Sequence, residues 1–204
     1  MKRFTRIVLT LLLGTFALFG CASMSGPDWT TLIEGTQGLD NFTRTGDANW
    51  RAADGTIMAD DGKGGFLISK NSYKDFQMRA EFWADHTTNS GIFIRISDPD
   101  PTKVAAKNSY EVNIFDQRPE PSYGTGAIVD FAQVSPMPKA GGRWNTFEIT
   151  AKGTLLQVSL NGVRTVNIQN GAFAQGPFAL QYATGAKGIR GGAIKWRKLQ
   201  VRAL

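Results

Sequence analysis

Apolar and polar residues alternate along much of this chain, which is the pattern of β-strands that bury one face. Turn residues separate the alternating stretches, and the Asn-Gly pair at 161–162 is typical of a hairpin because both residues accept a positive φ. No convincing helical period follows residue 27. The pattern predicts an all-β fold, a two-sheet antiparallel β-sandwich. The predicted strands lie at 65–69, 75–85, 90–97, 110–115, 146–153, 154–162, 163–168, 178–183 and 193–203.

The alternation also assigns a core face and an outer face to each strand. In residues 89–96 the apolar positions Ile92, Ile94 and Ile96 are predicted to face the core, and in 110–116 Val112 and Ile114 do the same. The outer face then carries aromatic, amide, guanidinium and carboxylate groups together: Asn89, Gly91, Phe93, Arg95, Glu111, Asn113, Phe115 and Gln181.

Such a mixture suits a carbohydrate, whose C–H faces pack on aromatic rings and whose hydroxyls need donors and acceptors. A solvated sheet face has a similar composition and is the alternative interpretation. Arg95 favours a site, because a guanidinium on the same face as Glu111 could hold that carboxylate or a ligand oxygen through two hydrogen bonds.

The first residues have the layout of an export signal. Lys2, Arg3 and Arg6 precede an apolar run over 7–19, and small residues surround Cys21, the chain's one cysteine. The tetrad Leu-Phe-Gly-Cys at 18–21 resembles the bacterial lipoprotein box, with a plain signal peptide as the alternative. We therefore expect a signal peptide over 1–20, a lipidated Cys21 with a tether to 27, and a single domain over 28–204. This predicts a protein anchored to the bacterial cell envelope, at the outer membrane.

Charge adds little to this picture. The formal net charge is +6, and without the three cations of the export signal the remainder carries +3. No Lys/Arg cluster with interleaved aromatic residues is present, so we expect no nucleic-acid partner. Paired His and clustered Cys are also absent from the sequence, so no metal site is predicted. A divalent ion such as Ca²⁺, held by Glu111, Asp116 and loop carbonyl oxygens, is the alternative.

Nine segments along the chain carry recognisable motifs: DWTTLIEG (28–35), WRAADGTI (50–57), YKDFQMRAEF (73–82), NSGIFIR (89–95), YEVNIFD (110–116), GTGAI (124–128), GRWNTFEITAKG (142–153), SLNG (159–162) and GPFALQ (176–181). In their order and spacing, these motifs resemble those of the 3-keto-disaccharide hydrolase domain family. The chain departs from the family pattern at Asn113, where the family usually has Gln, at Val129, near a position that is usually aromatic, and at Phe42, near a position that is usually Trp. The final strand also has GGAIKWRKLQV from Gly191 where the family often has an RNI pattern.

The resemblance implies a jelly-roll, concanavalin A-like fold and cleavage of glycosides oxidised at C3, by elimination across C1–C2 and hydration. Such chemistry needs a base, an oxyanion partner and an acid. We assign Glu111 as base or acid, Arg95 as the oxyanion partner and Asp116 as a further acid. The predicted substrate-binding residues are Asn89, Asn113, Gln181, His86 and Trp144.

Two other functions fit the same sequence. One is a noncatalytic carbohydrate-binding lipoprotein, and the other is a structural envelope lipoprotein without a sugar site. The outer-face residues support a polar site, as both the enzyme and the binding protein would need. They do not by themselves separate catalysis from binding.

Overall fold

The computed structural model describes residues 28–98, 100 and 103–204, which form thirteen β-strands and four short 3-10 helices. The predicted signal peptide and Cys21 lie outside these residues and stay predictions. None of the helices in the described part of the chain has the length and apolar character needed to cross a membrane. The strands are β1 (Thr30–Glu34), β2 (Phe42–Gly46), β3 (Arg51–Ala53), β4 (Thr56–Ala59), β5 (Gly64–Ser69), β6 (Phe76–Ala84), β7 (Asn89–Ile94), β8 (Tyr110–Phe115), β9 (Arg143–Lys152), β10 (Leu155–Leu160), β11 (Val163–Gln169), β12 (Ala179–Ala183) and β13 (Ile194–Ala203).

The strands form two antiparallel sheets. The larger sheet has the order β11-β10-β9-β6-β13-β4-β3, and β1 also pairs with β13. The smaller sheet has the order β2-β5-β12-β7-β8. The prediction of an all-β, two-sheet antiparallel sandwich is confirmed.

One apolar core is built from the facing sides of the two sheets. Phe82 stacks on Phe147 with ring centroids 5.0 Å apart, and Trp196 lies 5.6 Å from the Phe82 ring. Side chains from alternate positions fill this core, as the sequence pattern predicts. They include Phe76, Met78, Ala80, Phe82, Ile149, Leu199 and Val201 from the larger sheet, and Leu67, Ile92, Ile94, Tyr110, Val112, Ile114, Leu180 and Tyr182 from the smaller.

The predicted alternation fails at the end of β7, and the failure involves Arg95. This residue has φ 55°, so the strand ends at Ile94 and the next side chains no longer follow the pleat. Ile96, predicted to face the core, packs instead with Phe93 and Ile68 on the outer side of the smaller sheet. Arg95 turns away from that side.

The Arg95 side chain is 1% exposed and ties three loops together. Its guanidinium donates to the carbonyl oxygens of Lys74 at 2.6 and 2.9 Å, Gly153 at 2.8 Å and Phe173 at 3.3 Å, and to Asp75 Oδ1 at 3.2 Å. These partners satisfy its donors within the protein. The expectation that Arg95 shares a ligand-binding face with Glu111 is therefore wrong.

We expect Arg95→Met to lower the free energy of unfolding by about 3 kcal/mol, because three loops lose the buried guanidinium that donates to their carbonyl oxygens and to Asp75. Urea denaturation measures the change. Arg79→Met is the control, since Arg79 forms an exposed pair with Glu148 at 3.0 Å and should cost less than about 1 kcal/mol. Equal effects of the two substitutions would contradict the structural role of Arg95.

Candidate functional site

The candidate site lies on the outer face of the smaller sheet, the side turned away from the core. Cross-strand register aligns one row of residues across this face. Thr45 is opposite Phe66, Phe66 is opposite Gln181, and Asn113 is opposite Gly91. The register between β12 and β7, with Leu180 opposite Ile92 and Ala183 opposite Asn89, places Gln181 opposite Gly91 and completes the row.

Glu111 projects from β8 beside this row and occupies the space that Gly91 leaves open. It pairs with Phe93 across the strands. A Cβ at Gly91 would lie 3.4 Å from Glu111 Cγ and 3.5 Å from its Oε1. No described residue donates a hydrogen bond to this carboxyl group, which is partly exposed on the outer face. The carboxyl group is therefore held near the sheet surface and open to a ligand.

Burial raises the pKa of the Glu111 carboxyl to about 7, because few water molecules can reach and stabilise its charged form. The negative charge of Asp130 raises it further. Asp130 is exposed and follows Val129, whose N–H donates to the Glu111 backbone oxygen at 3.0 Å. A carboxyl group of this pKa exists in both protonation states at neutral pH, which suits proton transfer.

The aligned row also contains polar atoms without partners. Among the described residues, five buried side-chain N or O atoms have no hydrogen-bond partner, and three of them lie on this row: Thr45 Oγ1, Asn113 Oδ1 and Gln181 Oε1. Asn113 does use its amide nitrogen, which donates to the Tyr123 carbonyl at 2.6 Å. Unpaired buried oxygens cost stability, and their occurrence along one row of the outer face is typical of a ligand site.

Two cavities flank an apolar ridge on the same face. The ridge includes Phe66 and Phe93, whose rings meet edge to face with centroids 5.3 Å apart. The first cavity, of about 730 Å³, is lined by Thr43, Ile68, Ser69, Lys70, Ser72, Ile96, Ser97, Asp98 and residues 174–177. The second, of about 320 Å³, is lined by Thr45, Gly46, Gly64, Gly65, Phe66, Gln181, Tyr182 and Ala183.

Of the predicted site residues, the structure brings Glu111, Asn113 and Gln181 together, with Asn89 on the same face. The Asn89 amide donates to the Thr184 carbonyl at 2.7 Å. Asp116 lies just beyond β8 and has a structural role: its carboxylate accepts from Thr125 Oγ1 at 2.6 Å and from the N–H groups of Ala140 and Gly141 at 2.9 and 2.8 Å. These bonds hold the long 117–143 segment in place and use the oxygens that a catalytic acid would need.

The other predicted residues lie apart from Glu111. Exposed His86 is at the turn between β6 and β7, over Gly141 and Gly142; a Cβ at either glycine would come within 2.7 Å of its ring. Trp144 lies opposite Trp83 on the outer side of the larger sheet, and the Arg197 guanidinium sits 4.2 Å from its ring centroid. Trp144 therefore faces away from the smaller sheet, contrary to its predicted place in the site.

Sequence reasoning missed Thr45 and Asp130. Thr45 belongs to the short strand FTRTG, where alternation is too brief to identify a face. Asp130 is in a long loop without a periodic pattern and has φ 65°. The described residues contain no group of three or more His, Cys, Asp or Glu side chains that could hold a metal ion.

The raised pKa of Glu111 predicts a specific pH dependence of stability. Its ordinary value is 4.5 and its folded value about 7, so the folded state favours the proton. The corresponding stability is fully present below about pH 4.5 and is lost as the pH rises to about 7, by about 3 kcal/mol. Glu111→Gln, which keeps the neutral form, should match the wild type at pH 4.5 and be more stable at pH 8.

Urea denaturation at both pH values measures this difference. Glu148→Gln serves as the control, because Glu148 is exposed on the larger sheet and its substitution should have a small effect that is the same at both pH values. A wild type and a Glu111→Gln variant with the same pH dependence would refute the buried, proton-favouring environment of Glu111.

Solved structures share this fold. A proposed glycosyl hydrolase from Parabacteroides distasonis ATCC 8503 has a TM-score of 0.69 at 22% identity, over 87% of this chain and 100% of that chain. The carbohydrate-binding module CBM66 from Bacillus subtilis has a TM-score of 0.55 at 14% identity, over 86% and 95%. The Ca²⁺/Man-bound exoplasmic/lumenal domain of VIP36 has a TM-score of 0.58 at 10% identity, over 85% and 89%.

A search of curated proteins found no match. The 3-keto-alpha-glucoside-1,2-lyase-like domain, in contrast, matches residues 28–202, which confirms the resemblance carried by the motifs. The chain belongs to this carbohydrate-related domain family.

Proposed function

We propose that this domain cleaves 3-keto-glycosides by elimination, with Glu111 as the group that moves the proton. The observation that carries the proposal is the Glu111 carboxyl itself, which lies over Gly91 without a hydrogen-bond donor from the described residues and has a pKa of about 7. Family membership supports the substrate class, and the unpaired oxygens of Asn113 and Gln181 support binding of a hydroxyl-rich ligand.

The chemistry follows from the ketone. A carbonyl at C3 acidifies the C2 proton, so the Glu111 carboxylate removes that proton and an enolate forms. The enolate electrons then form the C1–C2 double bond while the C1–O bond breaks, and the leaving oxygen takes a proton. Water adds across the double bond in a second step, which returns a proton to C2 and a hydroxyl group to C1. No covalent bond to the protein is needed.

A base of pKa about 7 suits the first step at neutral pH. A carboxylate with an ordinary pKa would be fully ionised but a weaker base, and burial of Glu111 raises its proton affinity. The same group, once protonated, can return the proton during hydration. The environment of Glu111 thus serves both directions of proton transfer.

The remaining roles fall to neighbouring residues. Asp130 contributes its negative charge, which raises the pKa of Glu111, and the leaving oxygen is proposed to take its proton from water. The amide of Gln181 is proposed to donate to the enolate oxygen, a role that buried Arg95 cannot take. Asn113 is proposed to accept from a sugar hydroxyl through its free Oδ1.

Binding without catalysis is the second candidate function. It is favoured by the fold shared with a carbohydrate-binding module and by the departures from the family pattern at Asn113 and Val129. Val129 is 5% exposed and bonds through its backbone to the Glu111 strand, so a small side chain there lies next to the proposed base. In that case Glu111, Asn113 and Gln181 would bind the hydroxyl groups of a sugar without cleaving it.

We further propose that the domain acts in the bacterial cell envelope, held at the outer membrane by a lipid on Cys21. This location rests on the sequence of residues 1–27.

The purified domain, residues 28–204, should release glucose from 3-keto-trehalose and leave trehalose intact, because trehalose has no ketone to acidify C2. Glu111→Gln should lower kcat by about 100-fold or more while still binding the keto sugar. Glucose release measures turnover, and titration calorimetry measures binding.

Glu148→Gln on the opposite sheet is the matched control and should keep full activity. Binding of the keto sugar by the wild type without glucose release would reject the lyase proposal in favour of the binding function. Turnover retained in Glu111→Gln would reject Glu111 as the base.

A further inference from the structure

The outer face of the larger sheet, on the opposite side of the sandwich from Glu111, combines aromatic and cationic side chains. The register turns them outward, because Phe82 and Leu199, which alternate with them along their strands, lie in the core. No step of the proposed reaction uses this surface. We call it the basic face, and its residues are Trp29, Arg79, Trp83, Trp144, Arg164, Lys195, Arg197, Lys198 and Arg202.

Three of the five tryptophans lie on the basic face and reach solvent, whereas Trp50 and Trp196 are buried. The Trp29 ring lies between the guanidinium groups of Arg79 and Arg202, each 4.8 Å from the ring centroid. Both cations therefore interact with the π-system of one ring.

The other two exposed tryptophans also contact cations. Trp83 and Trp144 lie opposite each other on neighbouring strands. The Lys195 ammonium is 5.2 Å from the Trp83 ring centroid, and the Arg197 guanidinium is 4.2 Å from that of Trp144. Tryptophan rings beside cations are typical of protein surfaces at the level of lipid headgroups.

The basic face keeps a net positive charge beyond its ion pairs. Arg164, Lys195 and Arg202 have no acidic partner among the described residues. Such free cations attract an anionic surface. Three other cations of the face are paired: Arg79 with Glu148 at 3.0 Å, Arg197 with Glu81 at 2.6 Å and Lys198 with Glu34 at 3.2 Å.

Arg79, Arg164 and Arg202 also line one cavity of about 210 Å³, together with Trp29. Arg164 donates to Ser159 Oγ at 3.0 Å, and Arg202 donates to the side chain of Gln77, so both guanidinium groups keep further N–H donors. A guanidinium binds a phosphate through two parallel hydrogen bonds. The cavity therefore suits a phosphate group.

The chain enters the domain at the basic face. Trp29 follows Asp28, and six residues separate Asp28 from the lipid proposed on Cys21. Fully extended, this part of the chain spans at most about 25 Å. A domain held so close to a bilayer meets lipid at a high effective concentration, so a weak attraction is enough to orient it.

We propose that the basic face docks on the anionic phospholipid surface that holds the anchor, with a lipid phosphate in the cavity of Arg79, Arg164 and Arg202. Because the two sheets pack face to face, the docked domain turns Glu111 away from the bilayer and toward soluble substrates. The inference rests on the lipid anchor proposed at Cys21, and no part of it depends on the reaction proposed for Glu111.

The test attaches the chain from residue 21 onward to vesicles through Cys21, its one cysteine, with a maleimide lipid. Acrylamide quenching of tryptophan emission reports docking, because the exposed tryptophans lie on the basic face. Quenching should be about twofold weaker on phosphatidylcholine vesicles with roughly one third phosphatidylglycerol than on phosphatidylcholine alone. Salt at about 0.5 M should restore it, because the attraction is electrostatic.

Arg164→Gln combined with Lys195→Gln removes two cations from the basic face. The ratio of docked to free domain should fall about fivefold for each cation, or about 25-fold in total. The matched control is Lys70→Gln combined with Lys107→Gln, which removes the same charge beside strands β5 and β8 of the smaller sheet, where both lysines are exposed. The control should dock as the unsubstituted chain does, and melting temperatures check that both double variants fold.

Equal quenching on the two kinds of vesicle would overturn the proposal, as would equal loss of protection in the two double variants. Because the maleimide lipid supplies the attachment, the result does not depend on lipidation of Cys21 in cells. Turnover of 3-keto-trehalose is measured separately. Failure to dock would therefore leave the proposed lyase function standing, and failure of turnover would leave the docking standing.

Discussion

The site depends on the register between β7, β8 and β12, which puts a glycine at the centre of a row of polar side chains. Because Gly91 has no side chain, the Glu111 carboxyl can lie close to the sheet beside Asn113 and Gln181. The same closeness removes water from the carboxyl group and raises its pKa. A shift of one residue in this register would turn Glu111's neighbours toward the core, so the geometry and the chemistry of the site have one origin.

The sandwich supports this arrangement by burying the opposite side of the same strands. Ile92, Val112 and Ile114 alternate with the site residues and lie in the core, so the outer residues stand on rigid strands. Beyond the strand ends, buried Arg95 joins three loops and Asp116 holds the 117–143 segment in place. Arg95 and Asp116, which the sequence pattern assigns to catalysis, thus stabilise the scaffold. The polar groups without hydrogen-bond partners lie at the candidate site.

Unpaired oxygens and a partnerless carboxyl group lower the stability of the folded protein, and a ligand recovers part of that cost when it binds. The proposed site accounts in this way for the unpaired side-chain oxygens of Thr45, Asn113 and Gln181, in a fold that satisfies Arg95 with five hydrogen bonds. Membership of the 3-keto-alpha-glucoside-1,2-lyase-like domain family is consistent with a site that faces outward from one sheet.

Strand alternation by itself determined the fold class, most of the longer strands and the outward placement of Glu111, Asn113 and Gln181, because a period of two follows directly from local backbone geometry. It missed β1 to β4, which are short and gain their stability from pairing with distant strands. Only the tertiary structure determines where the Arg95 side chain lies. Arg95 has a positive φ, which breaks the alternation, and its guanidinium donates to carbonyl oxygens of residues far away in the chain. The tertiary structure also determines that Asp130 lies near Glu111 and that Thr45 belongs to the same outer-face row, since contacts between segments far apart in the chain depend on topology, which no local pattern records.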